Sequence, residues 1–174
     1  KMQSLLSINR LNAAALLAGI GLLMLAGALA FQHFGNLAPC ALCIDQRKAW
    51  GIAIVFAFLS LLTEGKGRIA VSLLMLAIAG TVALVGAGIA AYHVGVEQQW
   101  WSGTAECGAG FKGFGAGNIA AIREQLLSRP VVRCDEIAWS LLGISMAGWN
   151  GLIALATGTG ALYVVVRDVL RIGR

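Results

Sequence analysis

Two cysteines three positions apart, Cys40 and Cys43, are followed at once by Asp45, Gln46, Arg47 and Lys48 in an otherwise apolar chain. Two more, Cys107 and Cys134, stand far along the sequence. Such a set can close structural disulfides, bind a metal through thiolates, or pass electrons by thiol–disulfide exchange. The surroundings of the CxxC favour the third use. Pro39 suits the first turn of a helix, so a helix is expected to begin at the CxxC. A thiolate there is stabilised by the helix macrodipole and by unpaired backbone N–H groups. Arg47 lies four residues beyond Cys43, on the same helical face one turn deeper, and adds a cation. A structural disulfide has no need of that charge. Lys48 points to another face and suits the lipid headgroups, and Asp45 can pair with either base. The metal alternative is weaker, because Cys107 and Cys134 form no second CxxC and no nearby histidine completes a familiar spacing. No metal is assigned.

The elements that must hold these cysteines are apolar helices. Of 174 residues, 59% are hydrophobic and 12% charged, against roughly 25% charged in ordinary globular chains. Four stretches lack any Asp, Glu, Lys or Arg: 11–44, 49–63, 69–96 and 137–166. A membrane-spanning helix needs about 20 mainly apolar residues. The first, third and fourth stretches reach that length, and the second does so by recruiting the residues just before Ala49, which puts the CxxC at its end. The first stretch is longer than the ~7–15-residue apolar region of a signal peptide, and further spans follow it. The expected fold is an all-α membrane protein, a single integral domain over 1–174. Its four spans are placed at about 12–33, 42–62, 69–91 and 140–164, with loops 34–41 and 92–139 on one side and a short polar turn, 63–68, on the other.

The net charge of +5 is spread between spans, which points to topology rather than to nucleic acid. The termini and short turn carry Lys1, Arg10, Lys66, Arg68, Arg167, Arg171 and Arg174, while the other side carries six basic residues over about twice the length. The dense side is therefore placed in the cytoplasm, and all four cysteines face outwards, where disulfides persist. Tyr92, Trp100, Trp101 and Trp139 stand near span ends, as interfacial aromatics do, whereas Trp149 falls inside the fourth span as a packing or pocket residue. The many Gly and Ala residues within the spans suit close helix packing.

The second outer loop is too long for a plain connector. Its centre, GAGFKGFGAGN, is glycine-rich, and NIAAIREQLLS reads as a short amphipathic helix capped by Asn118, with Ile119, Ile122 and Leu126 on one face.

Three segments, PCALCIDQR, YHVGVEQQWW leading to Cys107, and RCDEIAWSLLGISMAGWN, resemble the disulfide bond formation protein B (DsbB) family within the same four-span plan. The resemblance implies a multi-pass protein of the bacterial inner membrane with both termini cytoplasmic. It implies a quinone-linked thiol oxidase that reoxidises a periplasmic DsbA-like dithiol oxidase and passes electrons to the quinone pool as ubiquinone or menaquinone. By position, Cys40 and Cys43 match the pair beside the quinone, Cys107 and Cys134 match the loop pair that meets the partner, and Arg47 matches an arginine near the quinone. His93 falls near a position where the family can present a polar residue to that pocket, and it also suits a plain interfacial role. The resemblance further implies that a partner thiolate attacks Cys107, that Cys134 then attacks Cys40, and that Cys43 is released beside Arg47. Membrane lipid is the other expected partner. The alternatives are a transporter or scaffold stapled by disulfides, which the near absence of ionisable residues in the spans disfavours, and a relative in the same family serving a dedicated partner.

Overall fold

The computed structural model describes residues 9–104, 107 and 132–173. The glycine-rich stretch 108–118 and the amphipathic helix expected from Asn118 lie outside the described residues.

Among the described residues four long helices stand out: α1 Arg10–His33, α2 Ala41–Glu64, α3 Ile69–Glu97 and α4 Met146–Ile172. Three of them begin at a side-chain cap that satisfies an otherwise orphaned N–H. Asn9 accepts from the Asn12 N–H, Ser145 from the Gly148 N–H and, at α2, the Cys40 sulfur from the Cys43 N–H. Pro39 therefore sits just before the cap rather than inside the first turn.

α3 is the central element, packed along both α2 and α4, and α1 rests chiefly on α2. The principal core is built from small side chains, Ala13, Ala14, Ala18, Ala53, Ala57, Ala79 and Ala161, with Leu17, Leu76 and Val164 between them. Glycine brings α3 and α4 closest together: a Cβ on Gly158 would stand 2.9 Å from the Gly80 carbonyl oxygen. Large apolar side chains such as Leu23, Leu62, Leu74 and Tyr163 point outwards instead, the inverse of a water-soluble bundle. α1, α3 and α4 are long and apolar enough to cross a membrane. α2 carries Asp45, Arg47 and Lys48 in its first two turns and is not among those three.

The two ends of the bundle differ. At the end bearing the 65–68 turn, where Gly67 takes φ +69°, Arg10 bonds Glu64 at 2.6 Å and reaches Asp168 at 3.5 Å, which Arg167 also pairs at 2.8 Å. These ion pairs tie α1, α2 and α4 together. The opposite end carries the cysteines.

Two boundaries differ from expectation. α3 continues through Glu97, because Val96, Gly95 and His93 are buried and Trp101 folds back on the last turn, its indole donating to the Tyr92 carbonyl at 3.0 Å. The fourth helix starts at Met146, not near 140. Residues 140–145 form a hairpin, Ser140–Leu141 (β1) paired antiparallel with Ile144–Ser145 (β2), a small exception to an all-helical architecture. Its turn residues Leu142 and Gly143 both have positive φ, 55° and 79°, the conformation a two-residue hairpin requires and a helix forbids.

Candidate functional site

The cap of α2 places the CxxC. Cys40 is the cap itself and is buried, and Cys43 lies in the first turn, so their sulfurs stand 2.6 Å apart. The Cys43 N–H donates to the Cys40 sulfur at 3.2 Å. Cys107 and Cys134 are joined by a disulfide, with Cα atoms 5.1 Å apart. Cys40, Cys107 and Cys134 form one buried cluster with Leu42 and Val96, and the half-buried Cys43 packs against it beside Ile89 and Val132. Residues nearly a hundred positions apart are thus packed together at one end of the bundle.

His93, on the last turns of α3, closes over the CxxC. Its Nε2 lies 3.6 Å from the Cys40 sulfur, and the Cys134 backbone is within hydrogen-bonding reach of the same ring. The residue is buried. The Nδ1 side meets Gln46 Nε2 at 2.9 Å. Gln46 Oε1 in turn accepts from Asn150 Nδ2, and Asn150 Oδ1 accepts from the Trp50 indole N–H at 2.7 Å. Four buried side chains from α2, α3 and α4 thereby form one continuous chain ending at the Cys40 sulfur. Glu97 Oε1 stands 4.0 Å from His93 Nε2, too far to bond, and Glu97 accepts a hydrogen bond from the Ser145 hydroxyl.

Arg47 reaches from α2 to the end of α1, donating to Gln32 Oε1 at 2.6 Å and to the Ala28 carbonyl at 3.2 Å. Lys48 lies at the surface and pairs with Asp45 at 2.8 Å. Beyond the loop disulfide, Arg133 bonds the Asp135 carboxylate and holds that carboxyl below its ordinary range.

A cavity of about 280 Å³ opens beside the CxxC. Its walls are mainly apolar, with Met24, Phe31, Trp139 and Ile153 among them; Gln46, Arg47, His93 and Asn150 give it polar groups, and Glu97, Arg133 and Glu136 also border it. Cys40 and Cys43 both border it. This pattern suits an apolar ligand with a small number of polar atoms. Cys40, Cys43 and His93 also bring three potential metal-ligating atoms within 4.8 Å of one another, a convergence invisible in the linear spacing.

The structure thus gathers all six residues singled out from sequence, Cys40, Cys43, Cys107, Cys134, Arg47 and His93, at one end of the bundle. Sequence reasoning gave no role to Gln46, Trp50, Asn150 or Glu97. Gln46 does occur in the opening CxxC stretch, and Asn150 closes the last family-like segment, but nothing in the linear order pairs them.

Residues 9–164 match the family model described as disulfide bond formation protein DsbB. Disulfide bond formation protein B of Methylococcus capsulatus is 33% identical over 144 residues, covering 80% of this chain and 84% of that protein. The protein of the same name from Nitrosococcus oceani is 33% identical over 147 residues, covering 83% and 85%. The one from Methylobacillus flagellatus is 35% identical over 121 residues, covering 68% and 70%.

Proposed function

The chain belongs to the disulfide bond formation protein B family of membrane proteins, and from that premise we propose that it is a quinone-dependent thiol oxidase that reoxidises a periplasmic DsbA-like dithiol. The observation that carries the proposal is the packing of both cysteine pairs in and against one buried cluster beside an apolar cavity. Four spans in the bacterial inner membrane, with both termini and the 65–68 turn cytoplasmic, would put that cluster at the periplasmic face.

The relay is a sequence of balanced exchanges. A partner thiolate attacks Cys107 Sγ, the Cys107–Cys134 bond breaks, and its electron pair leaves on Cys134. Cys134 then attacks Cys40 Sγ in a Cys40–Cys43 disulfide, and the electron pair leaves on Cys43. Cys134 and Cys40 share a cluster, so this second exchange needs rearrangement within one packed group rather than movement across the molecule. In this relay a dithiol at Cys40 and Cys43 beside a closed loop disulfide would be the state holding two electrons ready to pass on.

The cavity fits a quinone: a flat apolar ring would meet apolar walls, and two carbonyl oxygens would meet its polar groups. Arg47 and His93 would hold it. A bound quinone supplies an acceptor for two electrons and two protons. Arg47 offers a planar cation next to the sulfur-bearing turn, and the apolar walls exclude water from the open dithiol. The chain reconstituted in lipid vesicles should oxidise a reduced DsbA-like protein only when ubiquinone or menaquinone is present. Oxidation at the same rate without quinone would defeat the proposal.

A further inference from the structure

The hydrogen-bond chain behind His93 has a direction. Indole N–H is a donor only. Trp50 therefore requires an acceptor on Asn150, which is Oδ1 at 2.7 Å. The Asn150 amide nitrogen is then the group that faces Gln46, and it requires an acceptor there, Oε1. The Gln46 amide nitrogen is left to face His93 Nδ1 at 2.9 Å, so Nδ1 must accept. A neutral imidazole has one acceptor and one donor nitrogen. The proton must therefore be on Nε2, which stands 3.6 Å from the Cys40 sulfur and 4.0 Å from Glu97.

We infer that Trp50, Asn150 and Gln46 are positioning residues that lock His93 in its Nε2–H tautomer, so that this N–H stabilises Cys40 whenever it leaves as a thiolate. The inference rests on the relay proposed above for the step it serves. That relay continues when the partner's second thiolate attacks the partner sulfur of the Cys107 mixed disulfide, closing the partner's disulfide and releasing Cys107 as a thiolate, which then attacks Cys134 Sγ of the Cys40–Cys134 mixed disulfide. The Cys107–Cys134 bond forms, the Cys134–Cys40 bond breaks, and the electron pair departs on Cys40. A second N–H, that of Cys43, already points at the same sulfur at 3.2 Å. Cys40 thus has two N–H donors prepared for the charge it receives. Hydrogen bonds aimed in advance at a developing anion need no rearrangement when the charge forms.

The same polarity settles what the Cys40, Cys43 and His93 convergence is for. A metal would need the Nε2 lone pair, which an Nε2–H tautomer does not offer. Ligation through Nε2 would protonate Nδ1, reverse both amides and set the Asn150 amide against the Trp50 N–H, donor against donor. All four members are buried, where a donor set against a donor is penalised.

The test uses the full chain in nanodiscs with 15N-labelled histidine. The protein has two histidines, so a His33→Gln background leaves His93 as the single signal. With the CxxC reduced, Nε2 should carry the proton and Nδ1 should show the shift of an unprotonated nitrogen. Trp50→Phe removes the donor that sets the direction, four links from the sulfur, and should give a mixture of tautomers. It should also slow release of Cys40 from a trapped Cys40–Cys134 mixed disulfide, by roughly twofold for an equal mixture, since only the Nε2–H fraction can donate to the departing sulfur. Protonation of Nδ1 in the parent protein, or an unmixed Nε2–H tautomer in Trp50→Phe, overturns the inference. The tautomer needs no electron acceptor, so a protein that shows it but fails to use quinone would count against the proposed function alone.

Discussion

Replacing Arg47 separates two roles that the geometry combines. Its guanidinium straps the start of α2 to the end of α1 through Gln32 at 2.6 Å and Ala28 at 3.2 Å, and it also borders the cavity beside the CxxC. If it also serves the acceptor, Arg47→Ala removes a cation from a site where negative charge grows. A hydrogen bond to a charged group contributes about 1.5–3 kcal/mol, and each 1.36 kcal/mol is tenfold in rate. The loss in kcat/KM for quinone should therefore be about 10- to 150-fold, carried mostly by KM. Arg47→Lys keeps the charge but not the planar fork, and should lose about tenfold. Gln32→Leu breaks the shorter strap while leaving the cation, and should lose less than Arg47→Lys. Lys48→Ala removes an exposed pair with Asp45, worth at most about 1 kcal/mol, and should change the rate less than about threefold. Steady-state rates against quinone concentration, with partner dithiol saturating, give all four values. Equal losses for Gln32→Leu and Arg47→Ala would reduce Arg47 to a strap, and equal losses for Lys48→Ala and Arg47→Ala would reduce the cluster to a membrane anchor.

Cys43→Ser should abolish quinone reduction while the loop disulfide still exchanges with a partner thiol, and Cys107→Ser should prevent the stable mixed disulfide; gel-shift trapping with the partner reads both. A cysteine at position 65, in a chain otherwise lacking accessible thiols, should react with a membrane-impermeant reagent only after the inner membrane is opened, and labelling in intact spheroplasts would reverse the proposed orientation. Gly158→Ala sets a Cβ 2.9 Å from the Gly80 carbonyl oxygen and from Leu84. Backbone cannot swing away as a side chain can, so α3 and α4 must separate, at about 1–3 kcal/mol. A thermal melt in detergent should show the drop, and Gly160→Ala, where a Cβ meets nothing within 4 Å, should not.

The helices were legible in sequence because charge is so scarce. Each charge-free run became a helix, and each expected span overlaps one: 12–33 with Arg10–His33, 42–62 with Ala41–Glu64, 69–91 with Ile69–Glu97 and 140–164 with Met146–Ile172. The errors lie where hydrophobicity and helicity part company. Arg167, Asp168 and Arg171 end the apolar run but not the helix, because Asp168 is paired by Arg10 and Arg167. At its other end the apolar run includes Leu141, Leu142 and Ile144, which a hydropathy argument cannot distinguish from helix, yet Gly143 after Leu142 makes a turn. Of the site, the residue types that announce chemistry by themselves were legible: four cysteines and an arginine. His93 was visible but could equally have faced the headgroups. Gln46, Trp50 and Asn150 were not, since each is an ordinary residue until the fold sets positions 46 and 150 against each other.

The hydrogen-bond chain joining those residues is poorly explained as a source of stability. Hydrogen bonds between helices within a membrane average about 0.6 kcal/mol, so three of them contribute little. Leaving one member unpaired costs about 1–3 kcal/mol, which is more than making the bond gains. That asymmetry makes the chain a device for specification: each member dictates the polarity of the next, and a wrong polarity is penalised more than the right one is rewarded. The two ends of the bundle follow different rules accordingly. At the short turn, α1, α2 and α4 are joined by Arg10, Glu64, Arg167 and Asp168, groups whose charges bind without fixing which atom carries a particular proton. At the cysteines, α2, α3 and α4 are joined by neutral amides and an indole, groups that cannot titrate but do fix the proton on His93. Arg47 and the Glu97 carboxyl both border the cavity beside the dithiol, so negative charge arriving at Cys43 meets a cation from α2 and an acidic group from α3. An Asn150→Asp substitution would break the rule at the cysteines. It would keep the acceptor for Trp50 but place a carboxylate against Gln46 Oε1, where only a donor fits.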